Sequence, residues 1–262
     1  LALTPGRRPR AQEEGREDEK IIDWVVLKHD EREKYPADQI IWRWARMSKS
    51  KGNVVTPEDI IGRFGADSLR VYEMFVAPFE DNVQWSEEGI HGSHRFVARV
   101  WRWLQAALPL YRREWRRGSL PAEMPAAERS VRRKLHQTVR KVGAQLESFQ
   151  FNTAIAAVME LLNEIYAYAP LEKEALPASL SPAIVSELAE TLTLMIAPFA
   201  PHLGEEVWQQ LGGAGSVYRA PWPAYGALSE LTTWGEDLPA VPATTPARIA
   251  EGANQAVIVG AV

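Results

Sequence analysis

The chain contains no cysteine, which excludes a disulfide framework and any thiolate metal centre and suits a reducing compartment. It has no run of eighteen apolar residues, the length a helix needs to cross a bilayer. The opening stretch, "LALTPGRRPRAQEEGREDEK", lacks the apolar core of a secretory signal. The expectation is a cytoplasmic protein with no membrane partner. The pattern G-x-x-x-x-G-K-[ST] does not occur, so a P-loop nucleotide site is excluded. No residue is assigned as a metal ligand.

What is present is the composition of a folded protein. The 262 residues are 46% hydrophobic and 24% charged, enough for one large or two ordinary domains. The net charge is only −4, but it is segregated. Residues 91–141 hold 13 Lys and Arg against three Glu, a balance of +10 that leaves −14 for the remainder. A basic block in an acidic chain is the footprint of a polyanion partner, with a solvated helix face as the alternative.

Residues 1–20 show no periodicity and read as a disordered leader. The runs "IIDWVVL" (21–27) and "QIIWRW" (39–44) read as short strands. Clear punctuation follows. Thr56 is placed to cap a helix, Pro57 suits its first position, Glu58 and Asp59 complement its positive end, and Gly65 closes it. Asp67 is placed to cap a second helix that ends before Pro78. From Gly89 the apolar period is helical. One stripe holds Val97, Val100, Trp101, Leu104 and Leu108. A second holds Val131, Leu135, Val139, Val142 and Leu146. A third holds Ile155, Val158, Leu162 and Ile165, and a fourth Ile184, Leu188, Leu192 and Met195. A short fifth helix follows the Pro198–Pro201 break. The fold expected is mainly α: short helices, then an antiparallel bundle of four or five helices joined by Pro- and Gly-marked links. "QAVIVGAV" at 255–262 reads as a lone strand.

Between the second apolar run and Thr56 lies "ARMSKSKGNVV". A mobile ammonium beside a helix start can follow charge as it moves, as on pyrophosphate leaving ATP. Lys49 and Lys51, with the Ser48 and Ser50 hydroxyls, have the chemistry to clamp that leaving group. Gly52 lets such a loop swing. By spacing alone the signal is weak, because Ser/Lys-rich surface loops are common.

The stretch "RMSKSKGN" resembles the KMSKS signature of class I aminoacyl-tRNA synthetases. The likeness continues through "GADSLRVYEMF" and "WSEEGIHGSHRFVARVWRWL", wording most similar to the leucyl-tRNA synthetase family. "FNTAIAAVMELLNEI", "IAPFAPHLGEEVWQQLG" and "SVYRAPWP" resemble that family's helical anticodon-binding domain. The resemblance covers roughly residues 46–231. It implies a leader or insert remnant at 1–45, the signature loop and end of a catalytic domain at 46–88, the tRNA-docking bundle at 89–231, and an irregular tail at 232–262.

The signature maps to Arg46, Met47, Ser48, Lys49 and Ser50. The resemblance implies catalytic roles for Lys49, Arg46, Ser48 and Ser50, and ATP contacts from Lys49, Met47, Lys51, Gly52 and Asn53. Where the family has the first lysine of the signature, this chain has Arg46, a planar fork in place of a point ammonium. ATP is then a substrate, accompanied by Mg2+ for which this chain supplies no ligand, and tRNA(Leu) is the partner. Arg99, Arg102, Arg112, Arg113, Arg132, Arg133 and Lys134 become candidates for tRNA phosphates.

Such enzymes also carry a HIGH motif early in a nucleotide-binding sheet. His91-Gly92-Ser93-His94 is similar only superficially, since it lies downstream of the loop within a helical segment. The expectation is therefore the C-terminal portion of a leucine–tRNA ligase, inactive alone, with the missing N-terminal catalytic half as a partner. The other reading is a non-catalytic RNA-binding bundle that keeps a relic loop.

Overall fold

The computed structural model describes residues 2–6, 23–27, 41–42, 47–48, 54–78, 80–115 and 124–225. The chain divides into two units, residues 1–60 and 61–262, each considered by itself.

The first unit holds a three-stranded antiparallel sheet of order β2-β1-β3, with β1 at Ala2–Gly6, β2 at Asp23–Leu27 and β3 at Ile41–Trp42. Both apolar runs contain a strand, as expected. The leader does not stay unstructured: its first residues form the central strand. Ala2 pairs with Leu27 on one side and with Trp42 on the other. These partners are distant in sequence, so no local pattern announces the pairing. Pro5, which has no N–H to donate, faces Trp24 across β2, beyond the point where pairing with β3 stops at Leu3.

Helix α1 runs Pro57–Phe64. Its cap is the one expected: the Thr56 hydroxyl accepts from the Asp59 N–H at 3.3 Å and donates to the Asp59 carboxylate at 2.6 Å. The helix stops at Gly65, whose φ of +83° is open to glycine at low cost.

In the second unit, α2 spans Ala66–Phe75, α3 Glu87–Ala107, α4 Ala126–Glu147, α5 Phe151–Tyr168, α6 Pro182–Ile196 and α7 Pro201–Gln210. The architecture is mainly α, and α3 to α7 are the five segments read from the periodicity. Helix α3 starts two residues before Gly89, because the Ser86 hydroxyl accepts from the Gly89 N–H at 3.1 Å. Gly89 is needed for another reason: a Cβ there would lie 2.6 Å from the Tyr72 ring, so its bareness lets α2 close on α3. The Tyr72 hydroxyl accepts the Ser86 N–H at 2.8 Å in the same corner.

The core is built from the expected stripes. Val100 and Leu104 of α3, Leu135, Val142 and Leu146 of α4, and Ile155, Leu162 and Ile165 of α5 are all buried in one cluster. Each such aliphatic side chain contributes roughly 1.5–3 kcal/mol by leaving water. The buried Trp103 donates its indole N–H to the Ala169 carbonyl at 3.2 Å, so its polar atom carries no penalty.

Helix α6 departs from the expectation of one apolar face, since every residue from Ile184 to Ile196 is buried. A helix buried all round must have its polar side chains answered inside the protein. Glu187 Oε2 accepts from Arg132 Nε at 2.7 Å, and its Oε1 lies 3.2 Å from His136 Nε2, all three side chains being at most 3% exposed. One turn on, Glu190 accepts from the Trp115 indole at 2.9 Å and the Tyr111 hydroxyl at 3.1 Å. The Ser186 hydroxyl accepts the Arg112 N–H at 2.8 Å.

Asp67 also departs from its expected role. It sits inside α2, whose cap position is Gly65, and its carboxylate caps α7 instead. Oδ2 accepts from the Leu203 N–H at 2.7 Å and Oδ1 from the His202 N–H at 3.2 Å. Helix α7 cannot cap itself, because Ala200 occupies that position. An acid 135 residues earlier takes the role and ties the two helices together.

Arg132→Met leaves Glu187 buried without its cation and should cost about 3–5 kcal/mol in urea unfolding. Arg132→Met combined with Glu187→Leu should recover much of that loss. Asp67→Ala should cost about 1–2 kcal/mol through the uncapped α7, and Asp67→Asn less, because the amide oxygen still accepts.

Candidate functional site

The expected loop and the basic block belong to different units. In the first, Met47 of the motif is 41% exposed and Val54 just beyond it 38% exposed, so both present apolar side chains to solvent. Ser48 is half-buried and engaged with neighbouring groups. Arg46, Lys49, Ser50, Lys51, Gly52 and Asn53 lie outside the described residues. After the motif, the Thr56 cap fixes where the extended chain turns into α1, with Glu58 and Asp59 in the first turn.

In the second unit the structure sorts the seven basic candidates. Arg132 is 1% exposed and paired with Glu187; this corrects its assignment to phosphate, because its charge is spent inside the bundle. Lys134 pairs with Glu160 at 2.9 Å on a more open surface. The hydrogen bond and charge of Lys134, with Lys141 nearby, hold the Glu160 carboxyl below its ordinary range. Arg99 donates to the Asn163 side chain at 3.0 Å and lies 4.9 Å over the Tyr166 ring, which fixes it against α5. The Arg112 guanidinium bonds the Pro109 and Tyr111 carbonyls at 2.9 and 2.8 Å. Arg102, Arg113 and Arg133 are exposed.

Four exposed cations of α3 and α4 were not singled out from the sequence: Arg95 on α3, and Arg129, Arg140 and Lys141 on α4, of which Arg129 donates to the Met124 carbonyl. Arg133 and Arg140 are seven apart, two helical turns, and so share a face about 10 Å long. The same spacing separates Arg95 from Arg102. That i, i+7 repeat on the side away from the apolar stripe was available in the sequence. Arg132 and Arg133 are adjacent yet end on opposite sides, and the apolar neighbours Val131 and Leu135 fix which one faces inward.

His91 and His94, set aside as a HIGH motif, lie within α3. Both rings meet Phe64 edge-on, at centroid distances of 4.8 and 5.7 Å. Among the described residues, no group of three or more His, Asp or Glu is placed to hold a metal ion, and no helix is long and apolar enough to cross a membrane.

Comparison with known proteins gives the arrangement its context. Residues 44–86 match the family of class I tRNA synthetases (I, L, M and V), and residues 128–244 match the anticodon-binding domain of tRNA ligases. The leucine–tRNA ligase of Citrifermentans bemidjiense is 44% identical over 187 residues, 71% of this chain. That of Syntrophobacter fumaroxidans is 41% identical over 211 residues, 78% of this chain. The chain belongs to the leucyl-tRNA synthetase family. It spans 22% and 25% of the length of those two relatives. A leucyl-tRNA synthetase from Agrobacterium radiobacter K84, solved as a ternary complex with tRNA and LeuAMS, is similar at TM-score 0.58 and 29% identity, over 72% of this chain and 23% of that one. The Mycobacterium tuberculosis methionyl-tRNA synthetase with methionyl-adenylate shares the fold at TM-score 0.50 and 20% identity, over 64% of this chain and 36% of that one. The class I match covers the signature loop and the anticodon-binding match covers α4 to α7 almost entirely, in the order that the motifs imply.

Proposed function

We propose that the chain supplies two parts of a leucine–tRNA ligase: the loop that clamps the triphosphate of ATP, and the bundle that docks tRNA(Leu). The observation that carries this reading is the 44% identity to a leucine–tRNA ligase sustained over 187 residues. In the whole enzyme, leucine is activated with ATP and transferred to tRNA. Lys49 follows the charge that develops on departing pyrophosphate, with the Ser48 and Ser50 hydroxyls as further donors. Arg46 supplies a delocalised cation at the first signature position. Met47, Lys51, Gly52 and Asn53 complete the loop around the nucleotide, and Mg2+ accompanies ATP.

The bundle's share is electrostatic. Arg102, Arg113, Arg133, Arg140 and Lys141 stand exposed on α3, α4 and the link between them. Arginines on a rigid helix face contact phosphates and set register without reading sequence. The remaining catalytic part of the synthetase is the partner this reading requires, and it places the protein in the cytoplasm.

The first test is leucine-dependent ATP–pyrophosphate exchange, with the chain alone and then mixed with the remaining catalytic part of the synthetase. Exchange should appear only in the mixture, and Lys49→Ala should lower it by about 10²-fold or more, the scale of losing one transition-state donor. An unchanged rate would remove the role given to Lys49. The second test is tRNA(Leu) binding in a salt series. With three to five phosphates engaged, log affinity should fall against log salt with a slope of about −2 to −4. Arg133→Gln with Arg140→Gln should flatten that slope by about one per arginine.

A further inference from the structure

Beside the fully buried residues of α3 lies a half-covered face, on which Val97 and Trp101 pack against the edge of the core. His94, Val97, Ala98 and Trp101 recur at i, i+3, i+4 and i+7 and form one wall of an open pocket of about 410 Å³. The turn at residues 64–68 and the first residues of α7 form the other walls. The volume is at the small end of ligand pockets, about 300–1,000 Å³.

The polar groups of this pocket are arranged for a guest. His202 Nδ1 lies 2.8 Å from Asp67 Oδ1, and His94 Nδ1 lies 3.2 Å from the Phe64 carbonyl. The Asp67 carboxylate only accepts, so His202 Nδ1 carries a proton; His94 Nδ1 also lies 3.2 Å from the Ser68 hydroxyl, and on each ring Nε2 is the nitrogen left for a guest. Neither Nε2 has a hydrogen-bond partner among the described residues. The Asp67 charge is already answered by two N–H groups of α7. Beside the aromatic wall stand Arg95 and Arg102, both exposed and neither paired with a carboxylate among the described residues. Aromatic and imidazole rings flanked by unpaired guanidinium groups are the chemistry that holds an unstacked base and its adjoining phosphates. An apolar peptide would have no use for the two cations.

We propose that this pocket takes an unpaired nucleobase of the docked tRNA. The base lies against Trp101 and the imidazoles, its polar edge bonds Nε2 of His94 or His202, and the flanking phosphates meet Arg95 and Arg102. The proposal rests on the tRNA-docking reading above.

The test is binding of a tRNA(Leu) transcript to the full chain across a salt series, with CMP and AMP as small competitors. Trp101→Ala removes the stacking surface, and Ala98→Leu fills the pocket while keeping helix propensity. Each should weaken binding about 5- to 100-fold, the range for losing one stacked base, without changing the salt slope. Arg95→Gln should instead flatten the slope by about one. If Trp101→Ala does not fold, by circular dichroism, Ala98→Leu carries the test. Wild-type affinity in Ala98→Leu overturns the pocket and leaves the docking reading standing. Displacement of the transcript by millimolar CMP or AMP at constant salt supports a base-binding site. Saturable AMP or CMP binding with tRNA affinity unmoved by the variants assigns the pocket to free nucleotide and overturns it. No binding of the transcript by the wild-type chain removes both readings.

Discussion

The bundle depends on how α6 can be buried on every side. A helix of fifteen residues with two glutamates among them cannot lie in an apolar interior unless both carboxylates are satisfied there. Glu187 is satisfied by Arg132 and His136 of α4, and Glu190 by the Trp115 indole and the Tyr111 hydroxyl. These bonds have direction, which apolar contact lacks. They fix the height of α4 against α6 and pin the link after α3 to the same helix. The faces of α3 and α4 that remain outside are thereby determined, and the exposed arginines lie on those faces.

The basic block is consequently a mixture with three fates. One of its arginines is a core residue, Lys134, Arg99 and Arg112 are held by neighbouring groups, and Arg95, Arg102, Arg113, Arg133, Arg140 and Lys141 stand exposed on the surface. Net charge along the sequence cannot separate these fates, because it counts Arg132 and Arg133 alike. Position within the helical period can: Arg132 lies beside the Val131 and Leu135 stripe, and Arg133 lies beyond it. A buried arginine demands a buried acid. The sequence offers one in α6, but the match spans 55 residues and only the packed structure pairs them.

The same distinction governs what was legible. Local signals were read correctly where short-range physics decides: the Thr56 cap, the stop at Gly65, and the apolar stripes of α3, α4 and α5. Where partners are distant the reading failed. Residues 2–6 form a strand because Asp23–Leu27 and Ile41–Trp42 pair with it, a pairing that a polar leader does not announce. Asp67 was read as a cap for its own helix, yet the chain sends its carboxylate to α7. The stripe assigned to α6 was real but incomplete, since polar residues between the apolar ones are buried too. For the site, the loop is proposed from its residue types, whereas the pocket beside α3 joins three segments that no spacing rule connects.

Much of the wording that carries the family resemblance is structural rather than chemical. In "GADSLRVYEMF" the glycine turns the chain, the aspartate caps α7, and the tyrosine holds the corner where Ser86 begins α3. In "IAPFAPHLGEEVWQQLG" the histidine and leucine supply the N–H groups that Asp67 receives, and a Cβ on Gly204 would lie 2.7 Å from that of Ala197. A likeness built on such residues speaks directly to the fold. The chemistry rests on a much shorter stretch, Arg46 to Asn53, whose types suit a moving polyphosphate. That asymmetry explains why family and architecture follow from many residues together, while the catalytic role proposed for Lys49 rests on that short stretch alone.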